Sequence, residues 1–345
     1  MRLTRKGRIA SALGVLILIL VLLAVPVFLW LRSLGLLKES SPHGNVSFVI
    51  PKGAGTSEVG DILAEKQIVP SSLGFRFAVY LEGGAEDIQA GRYELPKDLS
   101  AKDALARLLD GPAPPEVVRL TFPEGSWLKE FAGIVEGSTN VSFEQFVKVA
   151  TSGSIRSSIQ PRSVDTLEGL LFPSTYEFPR RVEAADIIER LVDEFESKLK
   201  AAGGRAAAAK LGVTPYEAVI VASMIEAEAF VDSERPKIAS VIYNRLDEGM
   251  RLGIDATIIY GLGDRGRELT DADLASDSPY NTRVVAGLPP TPIGSPGLSS
   301  LEAALNPAAT NLFYYVLADC EGHHAFSEGF DEFEQNVARY RELQC

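Results

Sequence analysis

Glu226 is the carboxylate best placed to do chemistry. It lies in the run YEAVIVASMIEAEAF (216–230). Read as a helix, this run puts Glu226 on one face with Val219, Ala222, Ser223, Ala229 and Phe230, its neighbours three, four and seven positions away. From Ala218 to Ile225 the run is apolar nearly all round, the pattern of a buried helix. A carboxylate there gives up hydration, and desolvation is expected to raise its affinity for a proton. A carboxylic acid that keeps its proton near neutral pH is what cleavage of a glycosidic bond needs as general acid. Glu228 lies about 200° further round the helix and faces Met224, Ile225 and Asp232. It is expected to serve structure, with Arg235 or Arg245 as partner. Spacing alone also allows the plainer reading that Glu226 is paired with an arginine and only holds helices together.

The elements that position Glu226 are legible from cap residues and period. Thr214, Pro215 and Glu217 form a helix start with a capping box. A second helix is predicted over 235–247, and the chain returns through MRLGIDATIIYG (250–261). The proline- and glycine-rich stretch 287–297 can be neither helix nor central strand and reads as a rigid cleft rim. Ser299 and Glu302 start a further helix, LFYYVLA (312–318) reads as a buried strand, and a last helix covers about 327–342. Upstream, residues 46–110 form a small unit with strands at 46–50 and 91–95 and helices after Thr56, over 71–82 and over 100–109. Strand 117–122 leads into Pro123-Glu124-Gly125, an echo of the strand–Pro–x–Gly that starts at 46. Helices follow at 126–136, 142–152 and 183–200, whereas 153–166 and 201–210 read as loop and as exposed small residues. The fold class is α+β, a small module followed by a larger mixed α/β domain.

Ile9 to Leu31 carry no charge over 23 positions, between Arg2, Arg5, Lys6 and Arg8 on one side and Arg32 on the other. A helix of that length covers about 35 Å, enough for a bilayer core. The expected arrangement is a cytoplasmic tail at 1–8, a transmembrane helix at 9–31, a stalk at 32–45 and a body outside the cytoplasm. A cleaved signal peptide fits less well, because no small-x-small site follows the run. The net charge of −12 argues against a nucleic-acid partner, which needs a basic surface, but not against a polysaccharide. Two cysteines, Cys320 and Cys345, and three histidines give no metal-ligand pattern, so neither a metal nor a cofactor is expected.

Several motifs recur in order: LEGLLFPSTYEF (167–178), ASMIEAE (222–228), Tyr243-Asn244-Arg245-Leu246, Tyr280-Asn281-Thr282, LPPTPIGSPG (288–297) and His324-Ala325-Phe326. In these the chain resembles the YceG-like endolytic murein transglycosylases of the bacterial cell wall. The resemblance implies an anchored enzyme that cleaves the β-1,4 bond between N-acetylmuramic acid and N-acetylglucosamine in nascent peptidoglycan. It would leave a 1,6-anhydro end and limit strand length. Glycan strands, the bilayer and cell-wall synthases are the implied partners. Residues 46–110 resemble a LysM-like subdomain, and 111–345 the catalytic domain. The family's catalytic glutamate falls on Glu226. Glu168, Tyr176, Asn244, Arg245, Tyr280, Asn281 and His324 are the candidate substrate contacts, with Asp255 near the cleft and Glu168 a candidate to order Arg245 or the cleft wall. Ser174, Leu170, Ala227 and Ala325 depart from the common pattern, on the substrate side rather than at the acid. No second carboxylate is apparent on the Glu226 face, which suits a reaction run by one acid. The alternatives are a non-enzymatic wall-binding scaffold and an ordinary hydrolase, which needs two carboxylates.

Overall fold

The computed structural model describes residues 18–29, 32, 39–114 and 117–343. The tail 1–8, the flanks of the apolar run, most of the stalk and Cys345 lie outside them. Of the expected span 9–31, helix α1 (Leu18–Leu29) is described; it is apolar and exposed along its length. No single described helix is long and apolar enough to cross a membrane.

The chain divides into two compact units, Met1–Pro115 and Glu116–Cys345. In the first, β1 (His43–Ile50) pairs antiparallel with β2 (Gly91–Lys97), with Phe48 opposite Tyr93 and Val46 opposite Leu95. Side chains alternate across a strand, so Phe48, Ile50, Tyr93 and Leu95 all reach one core. Helices α2 (Thr56–Glu65), α3 (Ser72–Glu82) and α4 (Ala101–Leu109) close that core with Leu63, Phe75, Leu105 and Leu108. Ser71 and Ser100 accept from the third residue beyond them and cap α3 and α4, each cap contributing about 1 kcal/mol.

The second unit holds two more antiparallel pairs. One is β3 (Val117–Thr121) with β4 (Thr175–Pro179), and the other is β5 (Tyr314–Leu317) with β6 (His324–Ser327). All three described sheets are two-stranded and antiparallel, so this unit too is α+β rather than parallel α/β. Helix α5 (Leu128–Glu136) packs on the first pair, α6 (Phe143–Ala150) on α5, and α7 (Ala184–Ala201) on α6. The stacked rings of Phe122 and Phe131 lie 4.4 Å apart at the contact of α5 with that pair.

Helix α9 (Pro215–Glu228) runs through the middle of the unit, and every residue from Ala218 to Ile225 is buried. The sequence is apolar all round because neighbours cover all sides: α8 (Gly204–Lys210), α10 (Arg235–Asp247), α11 (Asp255–Leu262) and α13 (Leu298–Leu305). Thr214 and Glu217 form the expected capping box. A short helix α12 (Asp271–Leu274) and the terminal α14 (Phe330–Glu342) complete the unit.

Two readings change. Residues 201–210 are not merely exposed: α8 forms there and buries Ala208. The return segment, assigned no element from sequence, holds α11 with Thr257 and Ile258 buried. The aromatic run at 312–318 is a half-buried strand in a two-stranded sheet, not a core strand.

Candidate active site

Glu226 sits in the last turn of α9, where the helix emerges from the core. It lines a cleft of about 260 Å³ with Glu124, Gly125, Trp127, Ser223, Ala227, Ala256, Ile259, Arg265 and Ile293. Its side chain is 9 % exposed, so few waters reach it. Oε2 accepts from the Gly297 N–H at 3.0 Å and lies 3.4 Å from Nη1 of Arg235, itself nearly buried. Gly297 is the N-cap of α13, so the carboxylate stands at a helix N-terminus, where negative charge is favoured. Both contacts fall on Oε2, and Oε1 has no protein donor among the described contacts.

In the proline- and glycine-rich stretch, residues 291–297 are buried and Pro290 is exposed, and Ile293 lines the cleft. The Ile293 N–H donates to Ser223 Oγ at 3.0 Å, one turn before Glu226. Gly125 N–H donates to Ser295 O at 2.7 Å and Ser295 N–H to Ser126 O at 2.9 Å, tying the stretch to the turn after β3. Glycine is required at two points. A Cβ on Gly169, whose φ is +74°, would lie 2.3 Å from Pro292 Cβ, and one on Gly297 would lie 2.1 Å from Glu124 Oε1. Glu124, partly exposed at the cleft mouth, therefore rests against the same glycine that holds Glu226. Burial and the neighbouring Glu226 charge raise its pKa, with Asp232 adding to the rise and Arg235 opposing it.

Trp127 forms a wall of the cleft. Arg265 lies over its ring at 4.5 Å, donates to Gly125 O at 2.6 Å and pairs with Glu130 at 3.2 Å. Lys129 lies over the same ring at 4.5 Å. Tyr260 meets it edge-on.

Of the candidate catalytic and substrate-contact residues, Glu226 alone is among those lining this cleft. Glu168 is buried behind it: its oxygens accept from the Leu128 N–H at 3.0 and 3.2 Å and from the Tyr260 hydroxyl at 3.1 Å. It caps α5 and supports the Trp127 wall rather than ordering Arg245. Burial, only partly offset by these bonds, raises its pKa to about 7. Tyr176 is core, its hydroxyl donating to Phe172 O at 2.9 Å. Asn244 donates to Thr310 O and Leu312 O, both at 2.9 Å. Arg245 donates to Phe313 O and Leu252 O at 2.6 and 2.5 Å, so both residues fasten α10 to the chain entering β5. Tyr280 shares a hydrogen bond with Thr291 at 2.9 Å. Asn281 is fully buried and donates to Leu274 O and Ser276 O. His324 Nδ1 lies 2.8 Å from Glu234 Oε2, and its ring meets Tyr315 edge-on. Asp255 is paired with Arg283.

Glu228 takes neither expected arginine. The Tyr315 hydroxyl donates to it at 3.0 Å, and burial raises its pKa. Arg235 goes instead to Glu226, so the arginine pairing weighed for Glu226 is present, nearly buried beside the cleft. The residues that sequence reasoning missed are Glu124, Trp127, Arg235 as partner of Glu226, and Arg265. The Pro123-Glu124-Gly125 turn was a visible signal; its distance of about a hundred residues from Glu226 hid its meaning. Asp319, Glu321 and His323 bring ligand atoms within 4.8 Å of one another at the β5–β6 turn and are not among the residues lining this cleft.

Residues 48–339 match the YceG-like family. The chain is 32% identical over 327 residues to an endolytic murein transglycosylase of Bacillus subtilis (strain 168), covering 91% of this chain and 89% of that protein. It is 29% identical over 323 residues to an endolytic murein transglycosylase of Streptococcus pneumoniae serotype 2, covering 86% of this chain and 58% of that longer protein. Among solved structures, a YceG-like protein of Listeria monocytogenes is similar, with 29% identity and a TM-score of 0.56 over 86% of this chain and 99% of that one.

Proposed function

The chain belongs to the YceG-like family, and on that premise we propose that it is a peptidoglycan lytic transglycosylase whose acid is Glu226. The observation that carries the reading is a glutamate 9 % exposed at the end of a buried helix, one oxygen held by Gly297 and Arg235 and the other toward a cleft. The substrate is the glycan strand of murein. Glu226 gives its proton to the bridging oxygen as the muramoyl C1–O bond breaks. The same carboxylate then takes the proton of the muramoyl 6-hydroxyl as that oxygen closes on C1. The result is a 1,6-anhydro end with no water consumed. Attack from within the same sugar replaces a bound nucleophile and benefits from proximity. Ala256, Ile259 and Ile293 offer apolar surface for a sugar face, and Arg265 over the Trp127 ring offers a polar contact at the mouth.

The apolar N-terminal run anchors the chain in the cell membrane with the tail 1–8 inside. The first unit then acts as a LysM-like glycan-binding module close to the bilayer. A second reading, hydrolysis, draws on one observation, the carboxyl of Glu124 beside Glu226. Two carboxylates serve a hydrolase when they flank the bond. Here both rest against one glycine, which places them side by side. The test is mass spectrometry of fragments released from peptidoglycan. Ends lighter by one water than hydrolytic ones support transglycosylation; reducing ends would mean hydrolysis; binding without cleavage would mean a scaffold.

A further inference from the structure

Glu124 takes no step in the transglycosylation scheme, yet its carboxyl packs against the glycine that holds Glu226. Glu226 Oε2 is bonded to the Gly297 N–H, and the Glu124 carboxyl occupies the place a side chain on Gly297 would take. The three atoms nearest to a Cβ there all belong to Glu124. The turn that carries Glu124 is tied to the same stretch by the paired bonds of Gly125 and Ser126 with Ser295. The two carboxyls therefore come from distant parts of the sequence and meet by construction.

We propose that Glu124 is a positioning residue whose carboxyl, packed against Gly297, opposes ionisation of Glu226 beside Arg235. This rests on the reading of Glu226 as the acid. The Arg235 guanidinium is shared with Asp232, so it does not by itself neutralise both carboxyls. Without Glu124, Arg235 and the α13 N-terminus both favour the ionised form of their neighbour, the wrong state for an acid about to donate. A second carboxylate at the same place opposes them, since like charges so close resist ionising together. The other charged groups near Glu124 are Arg235 and Asp232 before α10 and Arg265 across the cleft mouth. Arg235 is also fixed by Asp232 at 3.0 Å and by Ser300 Oγ at 2.5 Å, so it stays in place as the proton moves. In the cycle the proton leaves Glu226 for the bridging oxygen and returns to it from the 6-hydroxyl. Glu124 forms no bond to substrate, and its protonation is the same at the end as at the start. Its raised pKa accords with this role.

The experiment compares pH profiles of glycan release by the full-length wild-type protein, Glu124→Gln, Gly297→Ala and Glu226→Gln. Glu124→Gln is expected to stay active in acid while its alkaline limb moves to lower pH by about half a unit at low ionic strength, less in high salt because Glu124 is partly exposed. Gly297→Ala should give the same displacement, because its Cβ pushes the Glu124 carboxyl aside without removing a titratable group. It stands in for Glu124→Gln should that variant not fold. An equal loss at every pH, or an unchanged profile in both variants, overturns the proposal and leaves Glu124 a structural residue. Glu226→Gln tests the underlying reading separately: a Glu226→Gln protein as active as wild type sinks the acid assignment whatever Glu124 does.

Discussion

Replacing Glu168 by glutamine should change how stability depends on pH more than it changes stability itself. Glu168 is 5 % exposed, and its carboxyl accepts from Leu128 N–H and the Tyr260 hydroxyl. Its pKa is raised from 4.5 to about 7, burial outweighing the bonds. Between those two values the folded chain binds more protons at this site than the unfolded chain does. The stability this group contributes is thus fully present below pH 4.5 and is lost as pH rises through about 7. A rise of that size corresponds to about 3 kcal/mol, as an order of magnitude. Glutamine keeps one acceptor for Leu128, lets Tyr260 turn its hydroxyl and carries no charge to bury. The stability of Glu168→Gln relative to wild type should therefore climb by about 3 kcal/mol between about pH 4 and about pH 8. Urea unfolding of residues 39–345 followed by tryptophan fluorescence reads this directly. Of the two tryptophans, Trp127 alone lies in that segment, next to the Leu128 that Glu168 caps. Two stability curves that run parallel across that range would refute the reasoning.

Three further outcomes follow from the contacts. Tyr176→Phe removes only the bond to Phe172 O, so it should cost about 1 kcal/mol in urea unfolding and leave glycan cleavage unchanged; lost activity in a fully folded protein would restore a substrate role. Asn281→Ala strips donors from the carbonyls of Leu274 and Ser276 in a fully buried site, and should lower stability by about 2 kcal/mol and loosen the loop after α12, seen as faster amide exchange there. Arg235→Leu leaves Glu226 with the Gly297 N–H alone. It should reduce turnover more than it raises KM, and steady-state kinetics showing the reverse split would point to a substrate contact instead.

Much of this architecture was readable because it is local. The Thr214–Glu217 box, the apolar run to Ile225 and the strands at Val46–Ile50 and Gly91–Leu95 each depend on neighbours within a few positions, and they form where their caps and periods place them. Glu226 was readable for the same reason, as a charge in a helix with no polar face. Its surroundings were not. Arg235 is nine positions away but turns back through a 3-10 turn, and Glu124 and Gly297 come from before and after it by about a hundred and seventy positions in total. The polar motif residues do not line this cleft. Tyr176, Asn244, Arg245, Asn281 and His324 look like binding groups, but each spends its polar atoms on backbone carbonyls or a buried glutamate. An orphan carbonyl in a loop-rich fold needs a donor as much as a sugar does. A single sequence does not say which one a side chain serves.

The most direct test of the account is product analysis with wild type and Glu226→Gln side by side on purified peptidoglycan. The glutamine is nearly the same size and keeps an acceptor for the Gly297 N–H, so the fold, checked by Trp127 fluorescence, should persist. The account predicts anhydro ends from wild type and none above background from Glu226→Gln at any pH. Anhydro ends from a folded Glu226→Gln protein at the wild-type rate would contradict it.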